Sequence, residues 1–179
     1  MKYPIGIQSF EKIRLGGYVY VDKTELIYQL ANTGSYYFLG RPRRFGKSLL
    51  ISTLEAYFQG KKDLFGGLAM ERWEKDWESY LVLHIDFSLT KYMELTDLTG
   101  QLNLFLHRWE KIYGKDEAEK TASERLQGII LRASEQIGKQ VVVLIDEYDA
   151  PLLDSNSDTA LQQQLRNEMR KFFSPPQEV

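Results

Sequence analysis

Arg41-Pro-Arg-Arg-Phe-Gly-Lys-Ser48 and, nearly a hundred residues later, Val141-Val-Val-Leu-Ile-Asp-Glu-Tyr-Asp149 decide how this chain is read. The first segment closes on Gly46-Lys47-Ser48, the way a phosphate-binding loop passes into a helix. Glycine lets the backbone approach a phosphate, and the N–H groups of Phe45, Gly46, Lys47 and Ser48 can curl around it at the positive end of the helix. Lys47 would reach between the β- and γ-phosphates and the Ser48 hydroxyl would hold magnesium. The pattern GxxxxGK[ST] would place glycine at position 41, whereas this chain has Arg41, with Gly40 one residue early. Arg43 and Arg44 fit two roles, as ligands of phosphate oxygens or as solvated loop residues. Adjacent arginines do not easily point the same way, so at least one belongs to the second class. In the later segment, five apolar residues deliver Asp146 to a strand tip, where a carboxylate can hold the hydration shell of magnesium. Glu147 follows directly, placed to polarise an attacking water. Together the two segments read as the halves of an ATP site.

The segments around them supply the scaffold. Asp22-Lys-Thr-Glu-Leu-Ile-Tyr-Gln-Leu30 predicts a helix capped by Asp22 or Thr24 and stopped by Gly34. Tyr36-Tyr-Phe-Leu39, bounded by glycines, predicts a buried strand feeding the loop. Leu50, Ile51, Leu54, Tyr57 and Phe58 recur with the helical period after Lys47, and Gly60 predicts the stop. Glu71-Arg-Trp-Glu-Lys-Asp-Trp77 sets Trp73 and Trp77 four apart, on one face of an expected helix, as packing residues. Leu81–Phe87 predicts a second strand, helices follow at about 95–113 and 117–138, and Val141–Ile145 predicts a third strand covered on both faces. This alternation predicts an α/β fold with a mostly parallel sheet between helices. In such sheets ligands bind beyond the carboxyl ends of the strands, which puts the loop and the acidic turn on one edge.

Composition narrows the class further. The 179 residues suffice for about one domain, and 43% apolar content can fill its core. A net charge of −2 gives no bulk reason to expect nucleic acid or an anionic membrane as partner. Cysteine is absent and there are two histidines, which excludes disulfides, cysteine catalysis and zinc ribbons, and leaves His84 and His107 as expected structural residues. The start of the chain has no signal-like apolar core, and no apolar run approaches the ~18 residues that span a bilayer. The expectation is a soluble, cytoplasmic protein.

At Pro42–Ser48 and Asp146–Asp149 the sequence resembles the AAA-ATPase-like family of bacterial proteins, a branch of the P-loop ATPases whose loop is written PRRFGKS and whose acidic strand ends in DEYD. The resemblance extends to Ile5-Gly-Ile-Gln-Ser-Phe10, Tyr20-Val-Asp-Lys-Thr24 and His84-Ile-Asp-Phe-Ser88, making five blocks in order that cover the chain to about Arg170. It also accounts for Arg41, a position where similar proteins commonly carry arginine.

The resemblance implies a P-loop NTPase of three α/β/α layers, binding ATP and Mg2+ and hydrolysing ATP through Lys47, Ser48, Asp146 and Glu147. It implies an adenine-side segment over 1–34, with Tyr20–Thr24 near the base, an α/β core over 35–170 and a tail over 171–179. Similar proteins are longer and carry a further strand, a helical lid and often a nuclease-like domain. The further strand lies between the acidic strand and the strand that carries the phosphate loop. The expectation is therefore an incomplete sheet, with C-terminal strands and lid missing and unpaired backbone at its middle. Besides the ATPase module, two readings stay open. One is a non-catalytic remnant or interaction protein that binds nucleotide only when complemented by a protein partner or a second copy. The other is a small-molecule kinase in which Glu147 or Asp149 serves a substrate hydroxyl.

Overall fold

The computed structural model describes residues 1–40 and 45–174. Among them the order of elements is α1 (Phe10–Leu15), α2 (Thr24–Thr33), α3 (Lys47–Phe58), α4 (Met70–Trp73), β1 (Leu81–Asp86), α5 (Leu95–Tyr113), α6 (Ala122–Ile137), β2 (Val141–Asp146), α7 (Ala150–Asp154) and α8 (Thr159–Phe173). The class is mixed α/β, and the sheet is a small open one in which β1 and β2 pair in parallel. The chain forms two compact units, Met1–His84 with Val142–Asp146, and Ile85–Val141 with Glu147–Val179.

The first unit is organised by aromatic and aliphatic residues that the helical and strand periods bring together. Phe10, Ile27, Leu54, Phe65, Met70 and Leu144 are buried in one cluster, with Leu50, Ile51, Val82, Val142 and Trp77 packed against it. Phe65 is completely buried, its ring 4.9 Å from that of Phe10 and 5.1 Å from that of Trp77. The apolar stripe of α3 and alternate residues of β2 thus share one core. Polar bonds fix the periphery: Ser52 Oγ accepts from the Phe10 N–H, and the Arg14 guanidinium donates to the carbonyls of Leu64 and Gly66.

In the second unit α5, α6 and α8 pack their apolar stripes together, burying Leu102, Leu106, Ile129, Ala133 and Leu165. Helix starts follow local chemistry. Thr121 and Glu124 form a reciprocal capping box at α6, Glu94 and Asp97 do the same at α5, and Asp158 Oδ1 accepts from the Leu161 N–H at α8. Glu110, in the buried face of α5, is held by a bidentate pair with Arg125 at 2.6 and 2.9 Å. Hydrogen bonding to that guanidinium keeps its carboxyl below the ordinary glutamate range despite burial.

Two expectations from the sequence are corrected. Tyr36–Leu39 is not a strand and not buried: Tyr36 is 96% exposed and Phe38 72%. Strand composition yields a strand only where a neighbouring ladder takes up the backbone groups, and the sheet of the described residues holds β1 and β2 alone. The helix expected over Glu71–Trp77 ends at Trp73, with Glu74 extended at φ −79°, ψ 128°. Glu74 Oε1 accepts from the N–H groups of Asp76 and Trp77, while Oε2 accepts from the Tyr57 hydroxyl. This local carboxylate turn competes with the helical ladder and rotates the second tryptophan into the core. Trp73 stays 53% exposed. The helices expected at α3 and α5 appear with the bounds read from the sequence, and α6 begins five residues later than expected, at its capping box.

Candidate functional site

Gly46 is the N-cap of α3 and sits in the left-handed region, φ 77° and ψ 23°. A side chain there would be strained by its own backbone, although a Cβ at this position would meet nothing within 4 Å. Glycine therefore serves the turn itself and leaves open space above the helix start. Lys47 and Ser48 follow as the first two helical residues, where backbone N–H groups have no acceptor within the helix. Among the described residues no side chain caps this end. With the dipole of a 12-residue helix behind it, this end is suited to an anion. Phe45, also assigned to the loop, is 63% exposed. Arg43 and Arg44 lie outside the described residues.

β2 ends on Asp146, which is 8% exposed although it carries a carboxylate. Its strand and α3 share the core of the first unit through Leu144, Val142, Leu54 and Leu50. Glu147 comes next in the chain with φ 50°, one of two non-glycine residues at positive φ among the described residues. A left-handed glutamate costs on the order of 1–2 kcal/mol, a strain of the kind that gathers where a side chain must be aimed. The Glu147 carbonyl accepts from the Ala150 N–H at 2.9 Å, closing the turn into α7. Asp149 caps that helix without a side-chain bond to it, and its Oδ1 is buried with no hydrogen-bond partner among the described residues. Buried carboxylate oxygens are rarely left so.

Tyr20–Thr24, which the resemblance assigns to the base side, is bound into the first unit. Asp22 Oδ1 accepts from the N–H and hydroxyl of Thr24, and Oδ2 from the Ala69 N–H at 2.7 Å. The Thr24 hydroxyl, completely buried, accepts from the Met70 N–H at 3.0 Å. These residues tie the start of α2 to the start of α4, a role that sequence spacing could not reveal because the partners are more than forty residues away. Burial alone would raise the Asp22 carboxyl, but the bonds from Thr24 and Ala69 outweigh it and hold it below the ordinary range. A depressed folded pKa contributes stability above the unfolded value near 4 and loses it as pH falls through the folded value. Asp22→Asn should therefore flatten the acid limb of the stability curve below about pH 4. A chemical-denaturation series across those pH values tests this, and an unchanged limb would remove Asp22 from the clamp.

His84 Nδ1 lies 3.1 Å from Glu55 Oε2, joining β1 to α3 within the first unit, and the bond to His84 holds the Glu55 carboxyl below its ordinary range. Among the described residues no group of three metal-ligating side chains forms, and no helix is long and apolar enough to cross a membrane.

A family model described as "Predicted AAA-ATPase" matches residues 4–178. The chain is 41% identical over 176 residues to a protein of Azotobacter chroococcum mcd 1 described as "Uncharacterized protein in vnfD 5'region". That match takes in 97% of this chain and 34% of the relative, so the chain spans about a third of the length of the curated relative it matches. No solved structure matches it.

Proposed function

We propose, from the premise that this chain belongs to the AAA-ATPase-like family, that it is the ATP-binding module of an AAA-like ATPase, hydrolysing ATP with magnesium in the context of a longer polypeptide. The observation that carries the reading is the start of α3: a left-handed glycine, an uncapped helix end, and Lys47 and Ser48 as its first two residues. The donor set fits a nucleotide triphosphate with its metal. Backbone N–H groups and an ammonium suit phosphate oxygens, and a hydroxyl with a buried carboxylate suits a hard cation.

In this reading Lys47 and the N–H groups of Phe45 to Ser48 hold the β- and γ-phosphates, with Arg43 and Arg44 raising the local positive potential. Ser48 Oγ and the Asp146 carboxylate would hold magnesium, which when bound would supply positive charge beside the phosphoryl oxygens. Glu147 accepts a proton from the water that attacks the γ-phosphorus, and its carboxylate orients that water in line with the leaving oxygen. The bond from phosphorus to the bridging oxygen breaks as the bond to the water oxygen forms, giving ADP and phosphate.

Thermal unfolding of the chain with and without magnesium-ATP, beside Lys47→Ala, tests the reading. At ~100 times the dissociation constant, ligand should stabilise the parent by about 2.7 kcal/mol. Lys47→Ala should lose most of that gain while melting like the parent without ligand. Equal stabilisation of parent and variant would remove Lys47 from the phosphate site.

A further inference from the structure

The outer face of α5, within the second unit, combines exposed apolar side chains with cations that have no anion beside them. Its inner face is occupied, since Leu98, Leu102, Leu106 and Trp109 are buried where α5 packs against α6 and α8. On the outside, Leu104, Arg108 and Lys111 follow at i, i+4 and i+7, which sets them in one stripe about 60° wide. An open groove of about 420 Å3 runs along that stripe, lined by Leu89, Leu104 and Phe105 and by His107, Arg108 and Lys111. No acidic residue lines it.

The charges are as unusual as the groove. Among the described residues neither Arg108 nor Lys111 makes a hydrogen bond or an ion pair. Other cations of the same unit do: Arg125 pairs with Glu110, Arg132 with Glu119, Lys115 with Glu117 and Lys91 with Asp154. Glu110, the carboxylate on α5 nearest to this stripe in sequence, is turned inward and held by Arg125.

Single exposed leucines are ordinary, but an apolar concavity bordered by unpaired positive charge asks for an occupant with both characters. The groove is too open for a small molecule, which ordinarily buries ~70–90% of its surface in its site. A membrane surface takes apolar side chains that protrude, whereas Phe105, 3% exposed, lies at the bottom of a concavity. Nucleic acid would engage the cations and leave Leu89 and Leu104, each 63% exposed, bare. A polypeptide uses both, by seating an apolar side chain and setting carboxylates against the guanidinium and the ammonium. A helix lying along α5 presents its own residues with the same four- and seven-residue repeat.

We propose that the outer face of α5 is a docking groove for an acidic amphipathic helix of a partner protein. One apolar side chain of that helix sits against Leu89, Leu104 and Phe105, and carboxylates four and seven residues away pair with Arg108 and Lys111. These charges lie at the rim, so they govern partner choice and association rate, and salt weakens them. The inference goes beyond the nucleotide reading and rests on residues of the second unit alone.

Selection from a phage-displayed library of helical peptides randomised on one face tests it, with the parent chain as target and the Arg108→Glu, Lys111→Glu double variant as counter-target. Both side chains are exposed and unpaired, so the variant should unfold with the parent. The milder Arg108→Gln, Lys111→Gln pair serves if it does not. Peptides enriched on the parent should carry an apolar residue with aspartate or glutamate four and seven positions away. By fluorescence anisotropy, synthetic copies should bind the charge-reversed variant at least ~10-fold more weakly, and the glutamine variant with an intermediate loss. Absence of enrichment, enrichment of neutral or basic faces, or equal affinity for parent and charge-reversed variant overturns the inference. Three results in place of peptide binding also overturn it by naming another occupant, each being lost in the charge-reversed variant. They are self-association of the chain in sedimentation, binding to vesicles of phosphatidylglycerol and phosphatidylcholine in equal parts, and binding to duplex DNA. No nucleotide is present in these assays, so the Lys47 melt decides the phosphate site separately.

Discussion

Glu147→Gln is expected to lower ATP turnover by about 10²–10⁴-fold while leaving stabilisation by magnesium-ATP in place. The two side chains are nearly isosteric, so the substitution removes proton acceptance and keeps shape. It also keeps the backbone cost, because both residues sit at φ 50° with the same Cβ, and the turn is closed by the Glu147 carbonyl, which the change does not touch. A loss of turnover could then not be blamed on a collapsed loop. Phosphate release by parent and variant, each joined to the remaining length of the curated relative, checks the expectation, with an unfolding shift in magnesium-ATP as the control. Turnover equal to the parent would show that another group activates the water. Turnover and ligand stabilisation falling together would make Glu147 a binding residue.

The helix start at the candidate site was more legible in the sequence than the sheet, for a physical reason. The start of α3 is local chemistry: Gly46, Lys47 and Ser48 are adjacent, and the left-handed glycine and uncapped helix start follow from three residues and the stripe behind them. β1 and β2 were legible for a similar reason, since a short segment dominated by valine, leucine and isoleucine beside a partner of the same kind becomes a ladder. Tyr36–Leu39 has a similar local signal and a different outcome, because a strand is a property of two segments and the sheet of the described residues holds β1 and β2 alone. The clamp from Asp22 and Thr24 to Ala69 and Met70 was illegible for the converse reason: its donors are backbone amides, which every residue has. Glu74 belongs with it, a carboxylate whose bonds to its own turn and to Tyr57 decide where α4 stops.

That stop determines which aromatic residues hold the first unit, and Phe65→Ala is expected to destabilise it by about 3–5 kcal/mol. Phe65 is completely buried and its ring lies against Phe10, Trp77 and Tyr57, at centroid distances of 4.9, 5.1 and 6.3 Å. Removing it opens a cavity between helices α1 and α3 and breaks three aromatic contacts, each worth roughly 0.5–1.5 kcal/mol beyond area. Trp73→Ala, by contrast, should change stability by no more than about 0.5 kcal/mol, because its ring is half exposed at the end of α4. Read as a helix through Trp77, the sequence would make both tryptophans equal packing residues. With the turn at Glu74, Trp77 alone faces Phe65. Urea unfolding of Phe65→Ala and Trp73→Ala beside the parent separates these accounts. A Trp73→Ala loss as large as that of Phe65→Ala would mean that the helix continues past Glu74 and that the aromatic core is arranged differently.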